Sequence, residues 1–393
     1  MRVVYVCTDP GVPVFGSKGP SVHVQAILTQ LVERGDEVHL VAARTGGVPV
    51  EALASVQVHR LPRVHHESAS DRELAARAAD AQVGRILGRL HAVSPIGLVY
   101  ERYALWGEHA MRWASRRGVP CVLEVNAPLP LEQARHRVLV DAAGADAVAR
   151  SACAAADVVV CVSDAVNAWV RSLDVARPDA VHTVPNGVDT RRFAPRTVRP
   201  APDTFTVGFV GTLKPWHGVD DLVRAFHLLH QHDPSYRLLV VGDGPERTTL
   251  QGMVADLGIG HAVELTGAVD PTRIPDLLAR MDVAVAPYPR LDEFYFSPLK
   301  LYEYLAAGVP VVAGDAGNLP ELLAGPDGPL GITYPAGSVD DLAATIALLR
   351  AGPELRADLA RRGRADALDS HDWSQVLAHV LGLLEVRHGA VPA

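Results

Sequence analysis

Short apolar runs alternate with amphipathic stretches along almost the whole chain, and this alternation constrains the fold more than any other feature. The apolar runs are short and rich in valine, as at residues 3–7 and 158–162, which favours buried strands. In the stretches between them, apolar residues recur at intervals of three and four, which predicts helices. Strands that alternate with helices pair in parallel, because each helix carries the chain back to the same end of the sheet. We therefore predict a doubly wound α/β architecture.

The pattern predicts the following elements. Strands are predicted at residues 3–7, 37–41, 56–60, 97–100, 121–125, 158–162, 181–184, 206–210, 237–241, 263–265, 282–286, 309–313 and 331–334. Helices are predicted from about His23 to near Gly35, at 72–91, 106–117, 133–156, 164–173 and 220–230, from Leu299, from near Asp340, and at 372–386. Residues 315–323 are predicted to form a loop.

The alternation is interrupted at residues 194–203, which are rich in proline and arginine and indicate a linker. A strand, a turn and a helix begin again after this linker, so the chain consists of two copies of one architecture rather than a short-period repeat. A length of 393 residues also predicts two domains or more. We predict a first domain over residues 1–197, a second over 198–372 and a C-terminal helix within 373–393.

Composition and charge narrow the classes of function. Hydrophobic residues make up 48% of the chain and charged residues 21%, as in an ordinary globular protein. A net charge of −8 argues against a broad basic surface for nucleic acid. The cysteines lack metal-ligand spacing and lie mostly in or beside apolar runs, which indicates buried thiols and a reducing cytoplasm. They are Cys7, Cys121, Cys153 and Cys161.

Membrane insertion is not predicted, because the N-terminal apolar run is too short for a signal peptide and no run reaches about 18 residues. Peripheral membrane contact stays open, since the helix that follows Asp71 carries several arginines. A solvated helix face explains the same residues more simply. They are Arg72, Arg77, Arg85 and Arg89.

Residues 293–314 (EFYFSPLKLYEYLAAGVPVVAG) combine a loop, a helix and a strand. Ser297 is a candidate helix cap, and Pro298 suits the first turn because its missing N–H needs no partner there. Lys300 lies in this first turn, and Glu303 lies one turn later. The start of a helix presents free N–H groups and the positive end of the helix dipole, which suits a phosphate. Isolated helix charges are usually ordinary surface groups, but the combination of elements favours a binding site.

This stretch resembles the donor-site signature of glycosyltransferase family 4, the retaining GT-B enzymes, in which E-x7-E followed by A-A-G-x-P-V-V binds a sugar nucleotide. Glu303 matches the second Glu, which in the family bonds the ribose hydroxyls. Tyr295 occupies the position of the first Glu, and this departure leaves open whether Asp292 or Glu293 contacts the sugar. The resemblance implies donor contacts from Ser297, Pro298, Leu299, Lys300 and Glu303.

Residues 211–218 (GTLKPWHG) are similar to the family's G-R-L-x-x-x-K-G turn, whose Arg and Lys hold the donor diphosphate. Thr212 and His217 occupy those two positions, and Lys214 lies between them. A leaving diphosphate needs positive charge and hydrogen-bond donors. We predict that Lys214 and Lys300 provide the charge and that the Thr212 hydroxyl donates. His217 either donates to the diphosphate or bonds a sugar hydroxyl.

Two further turns match the family. Residues 242–245 (GDGP) match its G-x-G-P turn, and residues 184–189 (VPNGVD) match its P-N-G-V-D turn, for which turn chemistry favours a structural role. The resemblance also implies that the backbone near Val269 borders the nucleotide base, with Ile274 packing nearby. Contacts made by backbone atoms do not depend on residue type, so the sequence does not identify the base.

In the first half of the chain, the candidate contacts follow strand ends, where ligands bind in parallel sheets. A G-x-G-x-x-G fingerprint is absent, so a nicotinamide site is not supported. Residues 16–24 (GSKGPSVHV) resemble the family's N-terminal loop, which faces the cleft and the diphosphate or the acceptor. Asn126 stands where many members have a His, and its amide can bond a hydroxyl without carrying charge. The candidates are Gly16, Lys18 and Gly19 in the loop, then Glu101, Arg102 and Asn126 after two strands.

Taken together, the resemblance implies a GT-B fold, in which two Rossmann-like domains face each other across a cleft and the C-terminal helix returns to the first. The first domain would bind the acceptor and the second the nucleotide sugar. The implied reaction moves a sugar from a UDP- or GDP-type donor to an acceptor hydroxyl, with retention, by a same-face mechanism without metal or other cofactor. Catalytic roles are implied for Lys300, Lys214, Glu303 and Asn126.

Several alternatives remain open from the sequence. A sugar-nucleotide 2-epimerase shares the architecture and needs no acceptor, and a non-catalytic nucleotide-sugar binding protein would tolerate the altered motifs. The acceptor is a small molecule, a lipid or a glycan. A bacterial, cytoplasmic protein with no nucleic-acid partner is expected.

Overall fold

The structure, a computed structural model, describes residues 1–64, 67–175, 177–195, 203–291, 294–295 and 297–388. The chain forms two compact units. The first unit comprises Met1–Asn186, Tyr295–Ser297 and Trp373–Ala393, and the second comprises Gly187–Phe294 and Pro298–Asp372. The predicted boundary at residue 197 lies outside the described residues, and the division into domains 1–197 and 198–372 stays a prediction.

The first unit is built on a parallel sheet of seven strands in the order β3-β2-β1-β4-β5-β6-β7. The strands are β1 Arg2–Cys7, β2 Glu37–Ala42, β3 Gln57–Arg60, β4 Leu98–Arg102, β5 Cys121–Val125, β6 Val158–Cys161 and β7 Val181–Thr183. The order reverses direction between β1 and β4, and in sheets of this kind ligands bind beyond the carboxyl ends of the strands near that point.

Helices alternate with these strands. They are α1 Gly19–Glu33, α2 Ala69–Val93, α3 His109–Arg117, α4 Leu129–His136, α5 Ala142–Ala155 and α6 Asp164–Ser172. Each of them except α4 buries part of one face. The last helix of the chain, α14 Trp373–His388, also belongs to this unit and packs on α1 and β6. The predicted C-terminal helix is therefore confirmed as an element, and it buries Trp373, Val380 and Leu384.

The second unit repeats the plan with six parallel strands in the order β10-β9-β8-β11-β12-β13. The strands are β8 Phe205–Val210, β9 Tyr236–Val241, β10 Val263–Leu265, β11 Val283–Ala286, β12 Val311–Gly314 and β13 Gly331–Tyr334. The helices are α7 Val219–His232, α8 Arg247–Asp256, α9 Ile274–Leu278, α10 Leu299–Ala306, α11 Leu319–Ala324, α12 Val339–Ala351 and α13 Pro353–Ser370. The predicted alternation of strands and helices is confirmed in both units.

Two predicted segments are wrong. Residues 133–156 were expected to form one helix, but α4 ends at His136 and α5 begins at Ala142. Asp141 causes the new start, because its side chain accepts the N–H of Gly144 and caps α5. Residues 315–323 were expected to form a loop, but α11 begins at Leu319, where Pro320 suits the first turn.

Helices α8, α9 and α13 were not predicted from the sequence. The longest of them, α13, is mostly polar and buries only a narrow row of residues spaced four apart, Leu359, Gly363 and Ala367. Two of these are small, so the row lacks the strong apolar periodicity that predicts a helix. This row packs on α10, and the partner helix rather than the local sequence therefore accounts for its burial.

Packing of α14 on the first unit depends on Trp373, which is buried and meets the edge of the His23 ring with 4.8 Å between centroids. We expect Trp373→Ala to lower the free energy of unfolding by about 3–5 kcal/mol, because it removes a large buried side chain and leaves a cavity. Urea unfolding followed by far-ultraviolet circular dichroism measures this loss. Trp216→Ala is the control, since the Trp216 side chain is 39% exposed. Equal losses for the two variants would contradict the assigned packing.

Candidate functional site

The helix α10 is held against the end of strand β8 by one buried tyrosine. The hydroxyl of Tyr304 accepts the N–H of Val210 at 2.8 Å and donates to the carbonyl oxygen of Val210 at 3.3 Å. Pro298 precedes the helix, and half-buried Leu299 is its first residue. This contact sets the first turn of α10 beside the loop that follows β8.

Lys300 lies in that first turn with its side chain buried. Its Nζ is 4.2 Å from the centroid of the Phe209 ring and 5.2 Å from that of Tyr288. Within the described part of the chain, the Lys300 Nζ has no hydrogen-bond partner. Burial lowers the pKa of Lys300 to about 7, although the nearby Glu303 carboxylate favours the charged form. A buried ammonium without a partner is costly, so this position favours an anionic ligand.

Gly211 makes room beside this ammonium. A Cβ at Gly211 would lie 2.9 Å from the Lys300 Nζ, and its φ of +152° disfavours other residues. The glycine of the predicted phosphate turn thus exposes backbone next to the cation, which allows a ligand to approach closely.

Glu303 lies one turn beyond Lys300 and is half-buried. Burial raises the pKa of Glu303 to about 7, against the opposing charges of Arg192 and then Lys300. Arg192 also donates to the carbonyl oxygen of Pro271, in the segment that leads to Ile274. Ile274 begins α9 and is half-buried, as is the nearby Val269. The predicted ribose and base contacts, Glu303, Val269 and Ile274, all lie in the second unit, but their contact with a nucleotide stays a prediction.

The loop after β8 carries the other predicted diphosphate contacts. Thr212 is exposed, and the Lys214 Nζ lies 5.4 Å from the centroid of the Trp216 ring. His217 is half-buried, and its Nδ1 lies 2.5 Å from the carbonyl oxygen of Thr212. Lys300 and Lys214 both act electrostatically on His217, which brings these predicted residues into one cluster.

Ser297 does not cap α10, contrary to the prediction. Its hydroxyl instead accepts the N–H of Asn186 at 3.0 Å, and its carbonyl oxygen accepts the Asn186 side-chain amide at 2.6 Å. Ser297 is buried, and α10 begins at Leu299 after Pro298, without a side-chain cap. Ser297 and the P-N-G turn therefore form a structural clamp, and the expected structural role of that turn is confirmed.

Glu101 also differs from the prediction that it faces a ligand. It lies within β4, and its carboxyl group is fully buried. Alternation along the strand sends Tyr100 and Arg102 to the other face, where both reach Glu124. Burial, with the nearby Asp80 charge, raises the pKa of Glu101 well above its usual range. Glu101 is therefore a core residue and not a sugar contact.

Glu124, which was not predicted as a functional residue, lies at the centre of the polar network of the first unit. Its carboxylate accepts hydrogen bonds from Tyr100 at 2.7 Å and Asn126 at 2.7 Å, and lies 2.8 Å from the His23 Nε2 and 3.4 Å from the Arg102 Nη1. Burial disfavours the carboxylate, but His23, Arg102 and Tyr100 outweigh it and lower the pKa of Glu124 to about 2. The sequence signal that could have identified Glu124 is a single acidic residue within the otherwise apolar run CVLEV.

Arg102 and Asn126 line a cavity of about 760 Å³ within the first unit, which we call the first-unit cavity. Its wall includes the aromatic side chains of Tyr103, Trp106 and Tyr295. Tyr295, which replaces the family's first Glu, belongs to the first unit and packs on its core. The cavity therefore combines aromatic side chains with an amide and a guanidinium that Glu124 holds in place.

Gly11 and Val12, in the loop before α1, line this cavity, but the predicted contacts Gly16, Lys18 and Gly19 do not. Gly16 accepts a hydrogen bond from the Gln25 side chain at 2.8 Å, and a Cβ on it would lie 2.9 Å from the carbonyl oxygen of Pro13. Lys18 and Gly19 are exposed at the start of α1. Close packing explains Gly16, and ligand contact by these three residues stays a prediction. The candidates Asp292 and Glu293 lie outside the described residues.

None of the described helices is long and apolar enough to cross a membrane. Nor do the described residues contain a group of three His, Cys, Asp or Glu side chains that could hold a metal ion. The described cysteines are all buried.

Glu124 generates a prediction about stability. Glu124→Gln removes the negative charge opposite His23 and Arg102, and we expect it to cost about 3–5 kcal/mol at pH 7. Because the folded-state pKa is depressed, the wild-type contribution is present above the unfolded pKa of about 4.3 and is lost as pH falls towards 2. The difference between wild type and variant should therefore shrink over that range.

Urea unfolding at several pH values between 7 and 2 measures this difference. Glu51→Gln is the matched control, because Glu51 is exposed. A difference for Glu124→Gln that stays constant with pH would contradict the assigned ion pair.

Comparison with known proteins identifies the family. The profile "Glycosyltransferase Family 4" matches residues 17–192, and "Glycosyl transferases group 1" matches residues 191–366. A relative from Mycolicibacterium smegmatis, "GDP-mannose-dependent alpha-(1-6)-phosphatidylinositol monomannoside mannosyltransferase", is 34% identical over 54% of this chain. The match spans 58% of that relative's own length.

A second relative aligns over most of the chain. "D-inositol 3-phosphate glycosyltransferase 2" from Catenulispora acidiphila is 28% identical over 92% of this chain and 88% of its own. Among solved structures, "Sucrose-phosphate synthase (tll1590) from Thermosynechococcus elongatus" covers 98% of this chain and 99% of its own with a TM-score of 0.73. Its sequence identity is 19%, so the likeness concerns the fold. The chain therefore has the GT-B fold and belongs to the family 4, group 1 glycosyltransferases.

Proposed function

We propose that this protein is a retaining glycosyltransferase that moves a sugar from a nucleotide-diphosphate sugar to a hydroxyl of an acceptor. The buried, unpartnered Nζ of Lys300 beside Gly211 is the observation that carries this proposal. A cation in this position is stabilised by an anion, and the diphosphate of a sugar nucleotide supplies two adjacent negative charges. Family membership supports the same ligand class.

The chemistry follows from where charge develops. When the bond between the sugar and the diphosphate breaks, negative charge accumulates on the leaving phosphate, and positive groups fixed nearby stabilise that transition state. Lys300 and Lys214 provide the charge, the Thr212 hydroxyl donates, and the first amide groups of α10 add donors. Glu303 accepts hydrogen bonds from the ribose hydroxyls.

Retention is proposed through same-face substitution. Tyr295 at the position of the family's first Glu offers no carboxylate to act as a nucleophile. The acceptor hydroxyl would instead attack from the side that the diphosphate leaves, and the leaving phosphate would take its proton. No metal or other cofactor is needed in this scheme.

The first-unit cavity is the proposed acceptor site. Its volume of about 760 Å³ falls within the range of about 300–1,000 Å³ that small-molecule sites occupy. Asn126 donates its amide N–H to Glu124, so its Oδ1 is available to accept from a hydroxyl. A small molecule, or the terminal part of a lipid or glycan, fits this arrangement, and we place the reaction in the cytoplasm.

An acceptor-dependent transfer assay tests the proposal. GDP-mannose is the first donor, because the Mycolicibacterium smegmatis relative is described as GDP-mannose-dependent, and UDP-glucose is the second. D-inositol 3-phosphate and a panel of hydroxylated small molecules serve as acceptors. We expect nucleotide release that requires an acceptor, and a product whose C1–H1 coupling shows the anomeric configuration of the donor. A product of inverted configuration would refute retention, and donor epimerisation without an acceptor would refute transfer.

Lys300 generates a second prediction. Lys300→Ala should weaken binding of GDP and UDP about 10- to 150-fold, because it removes a charge-assisted hydrogen bond worth about 1.5–3 kcal/mol. Isothermal titration calorimetry measures this loss. Arg224→Ala is the control, since it removes an exposed cation of the same unit. Unchanged affinity in Lys300→Ala would remove Lys300 from the diphosphate site.

The same experiment has a pH dependence. Lys300 is charged below its pKa of about 7 and loses its proton above it. Affinity of the wild type for the nucleoside diphosphate should therefore fall as pH rises from 7 to 9, and Lys300→Ala should lack this decrease. A parallel decrease in both proteins would assign it to another group.

A further inference from the structure

His217 occupies the place where the family's turn carries a diphosphate-binding Lys, and the structure fixes the orientation of its ring. The His217 Nδ1 lies 2.5 Å from the carbonyl oxygen of Thr212. A carbonyl oxygen only accepts hydrogen bonds, so the Nδ1 must carry the proton and donate it. In a neutral ring, Nε2 is then an acceptor.

The surroundings of the ring keep it neutral. Its centroid lies 5.6 Å from that of Tyr288 and 6.1 Å from that of Phe209, so aromatic groups replace water on two sides. Burial and the charges of Lys300 and Lys214 outweigh the Thr212 hydrogen bond and lower the pKa of His217 to about 3. His217 is therefore uncharged at neutral pH.

A neutral acceptor nitrogen is unsuited to a diphosphate. The phosphate oxygens of a sugar nucleotide carry no protons at neutral pH, so they are acceptors as well, and the contact would be repulsive. A sugar hydroxyl, in contrast, can donate to Nε2. The side chain that replaces the family's Lys can thus bind the sugar of the same ligand instead of its diphosphate.

The position of His217 fits the sugar. Lys300 and His217 pack on the same two rings, Phe209 and Tyr288, so the cation and the imidazole are neighbours. In a sugar nucleotide, the sugar is the group attached directly to the outer phosphate. A diphosphate held by Lys300 would therefore carry its sugar within reach of an adjacent side chain.

We propose that the Nε2 of His217 accepts a hydrogen bond from a hydroxyl of the donor sugar, so that His217 contributes to sugar selection rather than to diphosphate binding. This inference rests on the proposed function, because it requires a sugar nucleotide in the second unit. It assigns charge stabilisation to the lysines and sugar recognition to the imidazole.

Binding of matched ligands tests the inference without an acceptor. Calorimetry would compare GDP with GDP-mannose, and UDP with UDP-glucose, for wild type, His217→Ala, His217→Gln and Lys214→Ala. We expect His217→Ala to weaken the sugar conjugate about 3- to 10-fold while the free diphosphate changes less than about 2-fold. His217→Gln keeps an acceptor oxygen and should recover part of the loss. Lys214→Ala should weaken the conjugate and the free diphosphate alike.

The outcomes separate the inference from the proposed function. An equal loss for diphosphate and conjugate in His217→Ala would show a phosphate contact, and no loss for either would remove His217 from the site. Both results overturn the inference but leave nucleotide binding intact. Wild-type protein that binds none of the four ligands would overturn the proposed function as well. Thermal unfolding checks that the variants fold, and His217→Phe, which also lacks an acceptor nitrogen, replaces His217→Ala if that variant does not fold.

Deoxy analogues sharpen the test. Each analogue of the bound GDP-mannose or UDP-glucose lacks one hydroxyl, and the wild type loses affinity when a bonded hydroxyl is absent. If one hydroxyl donates to Nε2, its removal should lower the affinity of the wild type but cause no further loss of affinity in His217→Ala. Additive losses for every hydroxyl would contradict the contact.

Discussion

A buried ammonium without a protein partner is the constraint on which the second unit depends. Lys300 lies against two aromatic rings and beneath the bare backbone of Gly211, and the fold gives its Nζ no oxygen to bind. The chain has only three lysines, Lys18, Lys214 and Lys300, and its other basic side chains are arginines. An arginine would carry a larger planar group and would not lose its proton on burial, whereas a lysine is compact and does so readily. Burial without a partner therefore favours an anion at this position, and this is the basis of the proposed diphosphate site.

The first unit also contains a buried charged group, but there the protein itself provides the hydrogen-bond partners. Glu124 is equally buried, but His23, Tyr100, Arg102 and Asn126 surround its carboxylate and satisfy it within the protein. The C-terminal helix takes part, because Trp373 packs on the His23 ring. A satisfied network holds its members in fixed positions. Two of those members, Arg102 and Asn126, line the first-unit cavity, so the network stabilises the unit and also orients the cavity wall.

Patterns of residue type predicted what depends on neighbours along the chain. The strand 121–125 is found with the predicted bounds, because a short apolar run of this kind is buried in a parallel sheet. The strands 263–265 and 331–334 also have the predicted bounds, although they are only partly buried. The motif around Lys300 was also recognisable, since its helix, proline and small residues occupy fixed spacings. Helix α13 was missed, because its burial depends on α10 and leaves only a narrow row of small residues as a signal. The split between α4 and α5 was missed because one capping residue, Asp141, outweighs a nearly continuous helical pattern.

The sequence by itself determined the α/β class, the repetition of the architecture and the residue types of the candidate donor site. These follow from periodicity and from motifs of fixed spacing, which are local properties of the chain. Only the tertiary structure decided the role of individual polar side chains, because a role depends on partners far away in sequence. Ser297 is a clamp because Asn186 reaches it across 111 positions, and Glu101 is buried because strand alternation sends it away from Glu124. His217 illustrates the same reason, since its place in a motif suggested a phosphate contact, whereas the Thr212 carbonyl and the surrounding cations determine that its free nitrogen accepts.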